Sequence, residues 1–446
     1  MQNLKELISK YATNGPRYTS YPTAPHFSPE TDKNLLADYA VRHPSPLSLY
    51  IHIPFCKSLC WFCGCTSSVC NDAAQVDAYL ALIKAELELW RDNGLSRRAL
   101  EQIHFGGGTP NFLECEQILQ LGEIIRKYFS VSENCEFSAE LDPRTLTEDK
   151  VKAFAKIGVN RASIGVQDTD EKVQKAINRV QPQSRNLEAV EWLRENGILS
   201  INADLIYGLP LQTRETFKKT LSDALDLKPA RVALFGYAHV PWVKPAQKSL
   251  EKCGIPTSDE KAELFILGKR TFEEAGYEFI GLDHFAKPGD ELIKARENGT
   301  LHRNFQGYST RAGVDLFAVG LTSISETKTS YRQNFKLMEE YKKSVEAGRL
   351  PIERGIVLDG EDILRRAVIM DIMCMLRVDY ANYGIDFEKK FGGALEKLEG
   401  MKSDGLVEIR AGGFSVTPLG RLFLRNIAML FDGRLGAHKN TFSKTV

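Results

Sequence analysis

Residues 47–65 read LSLYIHIPFCKSLCWFCGC. A short apolar run, Leu47–Ile53, is followed at once by Cys56, Cys60, Cys63 and Cys65. Thiols spaced four and three residues apart can curl in a short loop around one metal centre. Zinc asks for four tetrahedral ligands, and these four cysteines could supply them. A [4Fe–4S] cubane held by three thiolates instead leaves one iron open to another ligand. The CxxxCxxC spacing directly after a strand, with the aromatic Phe62 before the third cysteine, favours the cluster on Cys56, Cys60 and Cys63. Unligated structural thiols are the remaining reading. The chain carries nine cysteines, too few for a disulfide scaffold at this length.

Outward from that stretch the pattern repeats. Apolar runs at Leu47–Ile53, Gln102–Phe105, Glu136–Glu140, Arg161–Gly165, Ser200–Leu205, Val232–Phe235 and Tyr277–Gly281 alternate with helix-like segments. Those segments are Gln75–Trp90, Thr147–Lys156, Ser184–Asn196, Thr213–Leu227 and Asp259–Ala275. Strand and helix in alternation predict an α/β fold with a parallel sheet and right-handed crossovers. Six or seven units suit an incomplete (β/α) barrel at least as well as a doubly wound sheet. In both, chemistry belongs at the carboxyl ends of the strands.

The flanks differ. Residues 1–45 are turn-rich and aromatic around Arg17–Thr23 and are expected as an N-terminal arm in extended form. The barrel is expected over 46–300, and 301–350 as a connecting segment that completes the site. Residues 351–446 are expected as a mainly helical, winged-helix-like domain: helices at Glu361–Leu376 and Phe387–Ser403, a hairpin about Gly412-Gly413, and a final helix from near Leu419. Lys plus Arg and Asp plus Glu each number 58. That balance argues against a nucleic-acid coat or a polybasic membrane binder. No run approaches the ~18 apolar residues of a membrane span, and the polar start lacks the apolar core of a signal peptide. The expectation is a cytoplasmic protein with neither nucleic acid nor membrane as partner.

Other candidates follow from position. Gly106-Gly107-Gly108-Thr109-Pro110 follows the second strand, where glycines let backbone approach a ligand closely; a plain tight turn is the competing reading. Glu140 ends the third strand and could bind an ammonium group, or be a solvated loop acid. Gln167, Arg179 and Asp204, taken one by one, read as ordinary structural polar residues. Arg17, Tyr18 and Tyr21, with Arg303, Phe305 and Gln306, offer guanidiniums suited to carboxylate pairing and aromatic surface, or simply pack. His52 and His239 are expected near the site as hydrogen-bonding groups, a core role being equally open, and Cys70 as structural.

The motif CxxxCxΦC after the first barrel strand resembles the signature of the radical S-adenosylmethionine (SAM) superfamily. The wider chain is similar to the oxygen-independent coproporphyrinogen III oxidases. The similarity lies in RYTSYPTA (17–24), PLSLYIHIPFC through CGC (46–65), GGGTP (106–110), GVQD (165–168), DLIYGLP (204–210), YAH (237–239) and HRNFQGY (302–308). Ser309 and Thr169 depart from the usual residues there. Cys65 separates the chain from a haem-chaperone branch that usually lacks it.

The resemblance implies a reduced cluster that splits SAM to a 5′-deoxyadenosyl radical. Hydrogen abstraction from substrate propionates then turns two of them into vinyl groups, taking coproporphyrinogen III to protoporphyrinogen IX in haem biosynthesis. It implies that Tyr50, the Gly107 and Gly108 backbone and Glu140 contact cluster-bound SAM. Phe62, Gly108, Thr109, Gln167, Arg179, Asp204 and Ala238 match positions that hold a second SAM, and Ile324 lies near SAM. Cys65, Gln306 and Arg17 are candidates for direct roles in catalysis. A low-potential donor such as flavodoxin or ferredoxin and a monomeric state are likewise implied. Two other readings stay open: a related radical SAM haem-utilisation enzyme or haem chaperone, and a zinc protein whose winged helix binds DNA.

Overall fold

The computed structural model describes residues 2–42, 45–95, 98–437 and 442–445. The chain forms two compact units. One joins Phe27–Pro256 to Gly313–Val357; the other joins Met1–His26, Thr257–Ala312 and Leu358–Val446. This division crosses the four consecutive segments expected, because both units are built from separated stretches of chain.

In the first unit six parallel strands lie side by side in chain order: β1 (Leu47–Ile53), β2 (Ala99–Gly107), β3 (Ser130–Leu141), β4 (Arg161–Gln167), β5 (Ser200–Tyr207) and β6 (Arg231–Gly236). Helices Ala73–Asp92, Cys115–Tyr128, Glu148–Ile157, Gln183–Glu195 and Arg214–Asp226 lie between them in sequence. The helix at Cys115–Tyr128 was not anticipated. Strand β7 (Asp315–Val319) adds in parallel beyond β1, and β8 (Ile324–Glu326), β9 (Ser330–Asn334) and β10 (Ile352–Val357) continue antiparallel. The run expected as a seventh barrel strand is Glu278–Gly281 of the other unit, antiparallel to His284–Ala286, and the sheet does not close on itself, so the barrel is incomplete, as expected.

The strands alternate with period two. In β1, Leu47, Leu49, Ile51 and Ile53 are fully buried, while Ser48, Tyr50 and His52 point to the other face. The register sets Tyr50 beside His104 of β2, His104 beside Ser138 of β3, and Glu140 of β3 beside Ser163 of β4. Central parallel strands are usually apolar on both faces; here one face carries a polar row. A buried ion pair, Arg98 to Asp315 at 2.9 Å, ties the residue before β2 to the start of β7.

The second unit contains helices Gly360–Met370 and Phe387–Ser403 and the hairpin Val407–Arg410/Gly413–Val416, close to expectation. A further strand, Arg377–Asp379, pairs with that hairpin. The first helix gives way at Asp371–Met375 to a wider π turn, and Leu376 is left-handed (φ 60°). The final helix, Leu424–Met429, begins later than Leu419, after a 3-10 turn at Gly420–Phe423. The arm is not extended throughout: Gln2–Tyr11 and Lys33–Val41 are helices. Tyr18 and Tyr21 are each 1% exposed in one core with Val368 and Phe431. Tyr18 donates to Asp432, and the Tyr21 hydroxyl accepts from the Gly433 amide. Their role is packing, not covering a ligand, since burial leaves neither ring a free face.

Candidate active site

The cysteine loop leaves the carboxyl end of β1. Phe55–Cys56 pairs with Ser68–Val69, and the amides of Ser68 and Cys70 donate to the carbonyls of Pro54 and Cys56. The ends of the loop are thereby closed, and residues 57–67 form its body. Within it the Cys63 amide donates to the Cys60 carbonyl at 3.0 Å. Trp61 donates to the Ile177 carbonyl, Asn178 to the Leu59 carbonyl, Lys244 to that of Cys65 and Gln247 to that of Phe62. The loop is thus anchored to the segments after β4 and β6.

The thiols sit in a cationic setting. Arg144 Nη2 and Arg179 Nη1 lie 3.4 and 3.5 Å from Cys60 Sγ. Both guanidiniums also grip Asp142, at 2.7 and 3.0 Å. Burial alone would raise that carboxyl, but Arg179 and Arg144 hold it down to about 2. Cys56 is pushed up by burial, opposed by a hydrogen bond with Thr109, and the neighbouring Cys63 and Cys60 raise it further. Cys63 is held low by hydrogen bonding from the Cys65 thiol and amide and by the charge of Lys244. Cys65 is the protonated partner of that pair. The spacing of Cys65 assigned it no role; the structure makes it a hydrogen-bond donor to the Cys63 sulfur.

The Gly106–Gly108 turn is dictated by close approach. A Cβ on Gly107 (φ 114°) would lie 2.6 Å from the His52 ring, and one on Gly108 would lie 2.8 Å from backbone atoms of Pro54 and Phe55. On Gly106 it would meet the Glu140 carboxylate at 3.0 Å. The plain-turn reading therefore gives way to a backbone pressed against the root of the cysteine loop. Tyr50 donates to His52 Nδ1 at 3.0 Å, and His52 Nε2 donates to the Thr66 carbonyl at 2.9 Å. Burial lowers the His52 pKa and keeps the ring neutral. His104, stacked on Tyr50 at 5.8 Å, donates to Glu140 at 3.1 Å, and the Gly107 amide does so at 3.3 Å. Burial would raise Glu140, but His104 and Gly107 hold it ionised.

A second group lies over β4 to β6. Gly165 leaves room for Gln167 and Arg179, whose side-chain nitrogens would come within 2.7 and 2.9 Å of a Cβ there. Gln167 itself is left-handed (φ 65°). Asp204 accepts from Ser163 and Asn202 at 2.7 Å each, and burial pushes its carboxyl up to about 7. Gln247 donates to both the Phe62 and Ala238 carbonyls, at 3.1 and 3.2 Å. His239 joins Tyr237 to Glu251. Ile324 opens β8, just beyond a turn held by Glu86 and Tyr79, which contact the amides of Gly320 and Leu321. Cys70 is buried and bonds within its own turn, a structural role. Arg17, Arg303 and Gln306 lie in the other unit.

Comparison with known proteins agrees with this arrangement. The chain is 42% identical over 451 residues to an oxygen-independent coproporphyrinogen III oxidase from Helicobacter pylori strain J99, covering 99% of each. It is 40% identical to the enzyme of that name from Escherichia coli K12, covering 99% of this chain and 98% of the relative. The chain belongs to the oxygen-independent coproporphyrinogen III oxidase family. The solved coproporphyrinogen III oxidase of Escherichia coli, described as a radical SAM enzyme, superposes with a TM-score of 0.90 at 39% identity, covering 94% of this chain and 97% of that one. The radical SAM superfamily matches residues 50–224, and the HemN C-terminal domain matches 358–423.

The superfamily carries a [4Fe–4S] cluster and SAM, and the donors here suit both. Among the described residues no three Cys, His, Asp or Glu side chains converge as a single metal ion requires. A cubane does not need such convergence, because each thiolate takes a different iron. Arg144 and Arg179 beside Cys60, and Lys244 near Cys63, place positive charge where a thiolate ligand set would need it. The buried Arg179 Nε has no partner among the described residues, leaving a donor for a ligand. Sequence reading missed His104, Asp142, Arg144, Lys244 and Gln247. For His104 the signal was available: a polar residue at the strand position that alternation aligns with Tyr50.

Proposed function

We propose that this chain converts two propionate side chains of coproporphyrinogen III to vinyl groups by radical SAM oxidative decarboxylation, giving protoporphyrinogen IX. The observation that carries this is full-length identity near 40% to enzymes of that name, with the cysteine loop rooted at the β1 carboxyl end beside the Gly106–Gly108 turn and Glu140. In this reading Cys56, Cys60 and Cys63 hold the cluster. When bound, cluster and SAM together supply a carbon radical capable of hydrogen abstraction.

The protein's share is placement. Glu140, held ionised by His104 and Gly107, receives an ammonium group. Tyr50, fixed by His52 and stacked on His104, forms one wall. Cys65 keeps the Cys63 sulfur in its thiolate form. Gln167, Arg179, Asp204, Phe62, Gly108, Thr109 and Ala238 take a second SAM, for which the Asp204 carboxylate offers two acceptor oxygens to a ribose. Arg17, Arg303 and Gln306 serve the substrate, and Ile324 borders the SAM site. The chain works as a cytoplasmic monomer with a low-potential donor such as flavodoxin or ferredoxin.

The test is an anaerobic assay of reconstituted protein with SAM, reductant and coproporphyrinogen III. Vinyl-bearing product is expected. Intact iron and SAM cleavage without that product would overturn the reading and favour a haem-utilisation relative. Equilibrium binding should give two SAM per chain; one per chain rejects the second site.

A further inference from the structure

Asp142-Pro143-Arg144 leaves the end of β3, and its shape is preset locally. The Arg144 amide donates to Asp142 Oδ1 at 3.0 Å. Its side chain curls back, so that Nε lies 3.1 and 3.2 Å from the two carboxylate oxygens and Nη2 lies 2.7 Å from Oδ2. Asp142 is fixed in turn: its amide donates to Asn111 Oδ1 at 2.8 Å, and Asn111 Nδ2 donates to the Asp142 carbonyl at 3.0 Å. Asn111 is fully buried in the turn that follows the glycine triplet. From the segment after β4, Arg179 reaches the same carboxylate at 3.0 and 3.3 Å and the Gly165 carbonyl at 2.7 Å. The carboxyl ends of β2, β3 and β4 thus meet in one clamp.

Beyond Asp142 both guanidiniums end on one sulfur. Arg144 Nη2 and Arg179 Nη1 lie 3.4 and 3.5 Å from Cys60 Sγ, on a residue that is 8% exposed. The donors at the other two sulfurs are neutral: the Thr109 hydroxyl is 3.5 Å from Cys56 Sγ, and the Cys65 amide is 3.4 Å from Cys63 Sγ. Asp142 and Arg179 are also nearly buried, and two guanidiniums share one carboxylate there. A thiolate at Cys60 is the second anion that balances them. Arg179 keeps Nε without a partner among the described residues, whereas each Arg144 side-chain nitrogen has one: Nε on Asp142, Nη1 on Ser58 at 3.5 Å, and Nη2 on Asp142 and Cys60.

We propose that Arg144, aligned by Asp142, is a positioning residue that donates to the Cys60 sulfur and, with Arg179, raises the reduction potential of the cluster, a role that rests on Cys56, Cys60 and Cys63 as its ligands. Reduction adds one negative charge, part of which resides on the cysteinyl sulfurs. A charged donor at such a sulfur therefore stabilises the reduced form more than the oxidised one. Burial acts the other way, since a desolvated site disfavours added charge. The guanidiniums offset that cost at the sulfur they touch, and a milder electron donor then suffices. No cysteine or glycine motif marks Arg144, because its function depends on where Asp142 aims it.

The test is a redox titration of the anaerobically reconstituted full chain without SAM, with the reduced cluster followed by electron paramagnetic resonance. Arg144→Met keeps the length of the side chain and removes its charge and donors. It should retain its iron and shift the midpoint to more negative potential by about 59 mV, a tenfold loss in the one-electron reduction equilibrium. Arg144→Lys keeps the charge but cannot span Asp142 and Cys60 together, and its midpoint should fall between the two. A merely structural role would lower iron retention or the unfolding temperature and leave the potential of the retained cluster unchanged. An Arg144→Met equilibrium within twofold of wild type with iron intact, or a shift to more positive potential, would overturn the role. Should Arg144→Met not hold iron, Arg144→Lys decides, and a midpoint equal to or above that of wild type rejects it. An unsubstituted chain that takes up no iron refutes the cluster reading and this role together; vinyl product with an unchanged Arg144→Met potential refutes this role alone.

Discussion

The hydroxyl of Tyr79 donates to the His52 carbonyl at 2.7 Å. The same oxygen accepts from the Leu321 amide at 3.0 Å, so one side chain of helix Ala73–Asp92 ties the end of β1 to the turn before β8. Two turns along the helix, Glu86 accepts from the Gly320 amide, Asn334 and Tyr341. Gly320 (φ 94°) lies against this helix, where an added Cβ would strike the Tyr79 oxygen at 2.4 Å.

Tyr79→Phe should therefore destabilise the protein by about 1–3 kcal/mol, since it strands a buried carbonyl and a buried amide. Chemical denaturation followed by circular dichroism measures this. A change below a few tenths of a kcal/mol would mean that the carbonyl and amide find other partners.

The four clustered cysteines should divide in a metal assay. Cys56→Ala, Cys60→Ala and Cys63→Ala each lose iron after anaerobic reconstitution. Cys65→Ala should keep it, because three thiolates suffice and the Cys65 backbone amide, which donates to the Cys63 sulfur at 3.4 Å, survives the substitution. Iron content per chain decides the matter, and loss of iron in the Cys65 variant would make it a ligand.

Gly108→Ala should be worse tolerated than a typical loop glycine change. Its Cβ would meet backbone atoms of Pro54 and Phe55 at 2.8 Å, and backbone cannot rotate away as a side chain can. Displacing the root of the cysteine loop should lower iron retention, with a stability loss of about 1–3 kcal/mol. Iron analysis and thermal unfolding report both; wild-type values for each would show that the loop can shift freely.

Asp142 makes acid stability legible. Its folded pKa of about 2 lies below the ordinary value of 3.8, so its contribution is present above about pH 4 and is lost as pH falls toward 2. The shift corresponds to about 2 kcal/mol. Asp142→Asn should remove that part of the acid limb of the stability curve and leave Arg144 and Arg179 buried without their anion, at a further cost near neutrality. Denaturation at pH 3 and pH 7 tests it: the variant's deficit should shrink at the lower pH.

Asp204 carries the opposite sign. Its folded pKa of about 7 lies above the unfolded value, so ionisation opposes folding; the penalty is absent near pH 4 and complete above about pH 7. Asp204→Asn should raise the unfolding midpoint of the ligand-free protein at pH 8 and change it little at pH 4. A variant that gains equally at both would place the effect elsewhere than in this ionisation.

Much of the fold was written locally. The alternation of apolar runs with amphipathic segments gave β1 from Leu47 to Ile53, β2 to β6 ran longer than their apolar cores, and the seventh run, Tyr277–Gly281, is one residue shorter and lies in the other unit. Thr147 and Thr213, each accepting from an amide of the first helical turn, fixed two of the helix starts. The helix Cys115–Tyr128 was legible as well: Ile118, Leu121, Ile125 and Tyr128 recur at helical spacing and are buried, and the sequence reading passed over them.

The cysteine spacing and the glycine triplet were likewise legible, since both are properties of a few consecutive residues. What no local pattern could supply is which distant side chains meet. His104 reaches Glu140 across 36 positions, Arg144 and Arg179 converge on Cys60 from 84 and 119 positions away, and Arg17 meets Asp283 across 266. Sheet register and the joining of separated chain segments decide those contacts, and both depend on burying surface from the whole unit at once. Periodicity thus determined the kind of fold, and the cysteine spacing with the family resemblance the kind of ligand; tertiary structure alone decided which charges surround the thiols and which donors, among the described residues, are left without an acceptor.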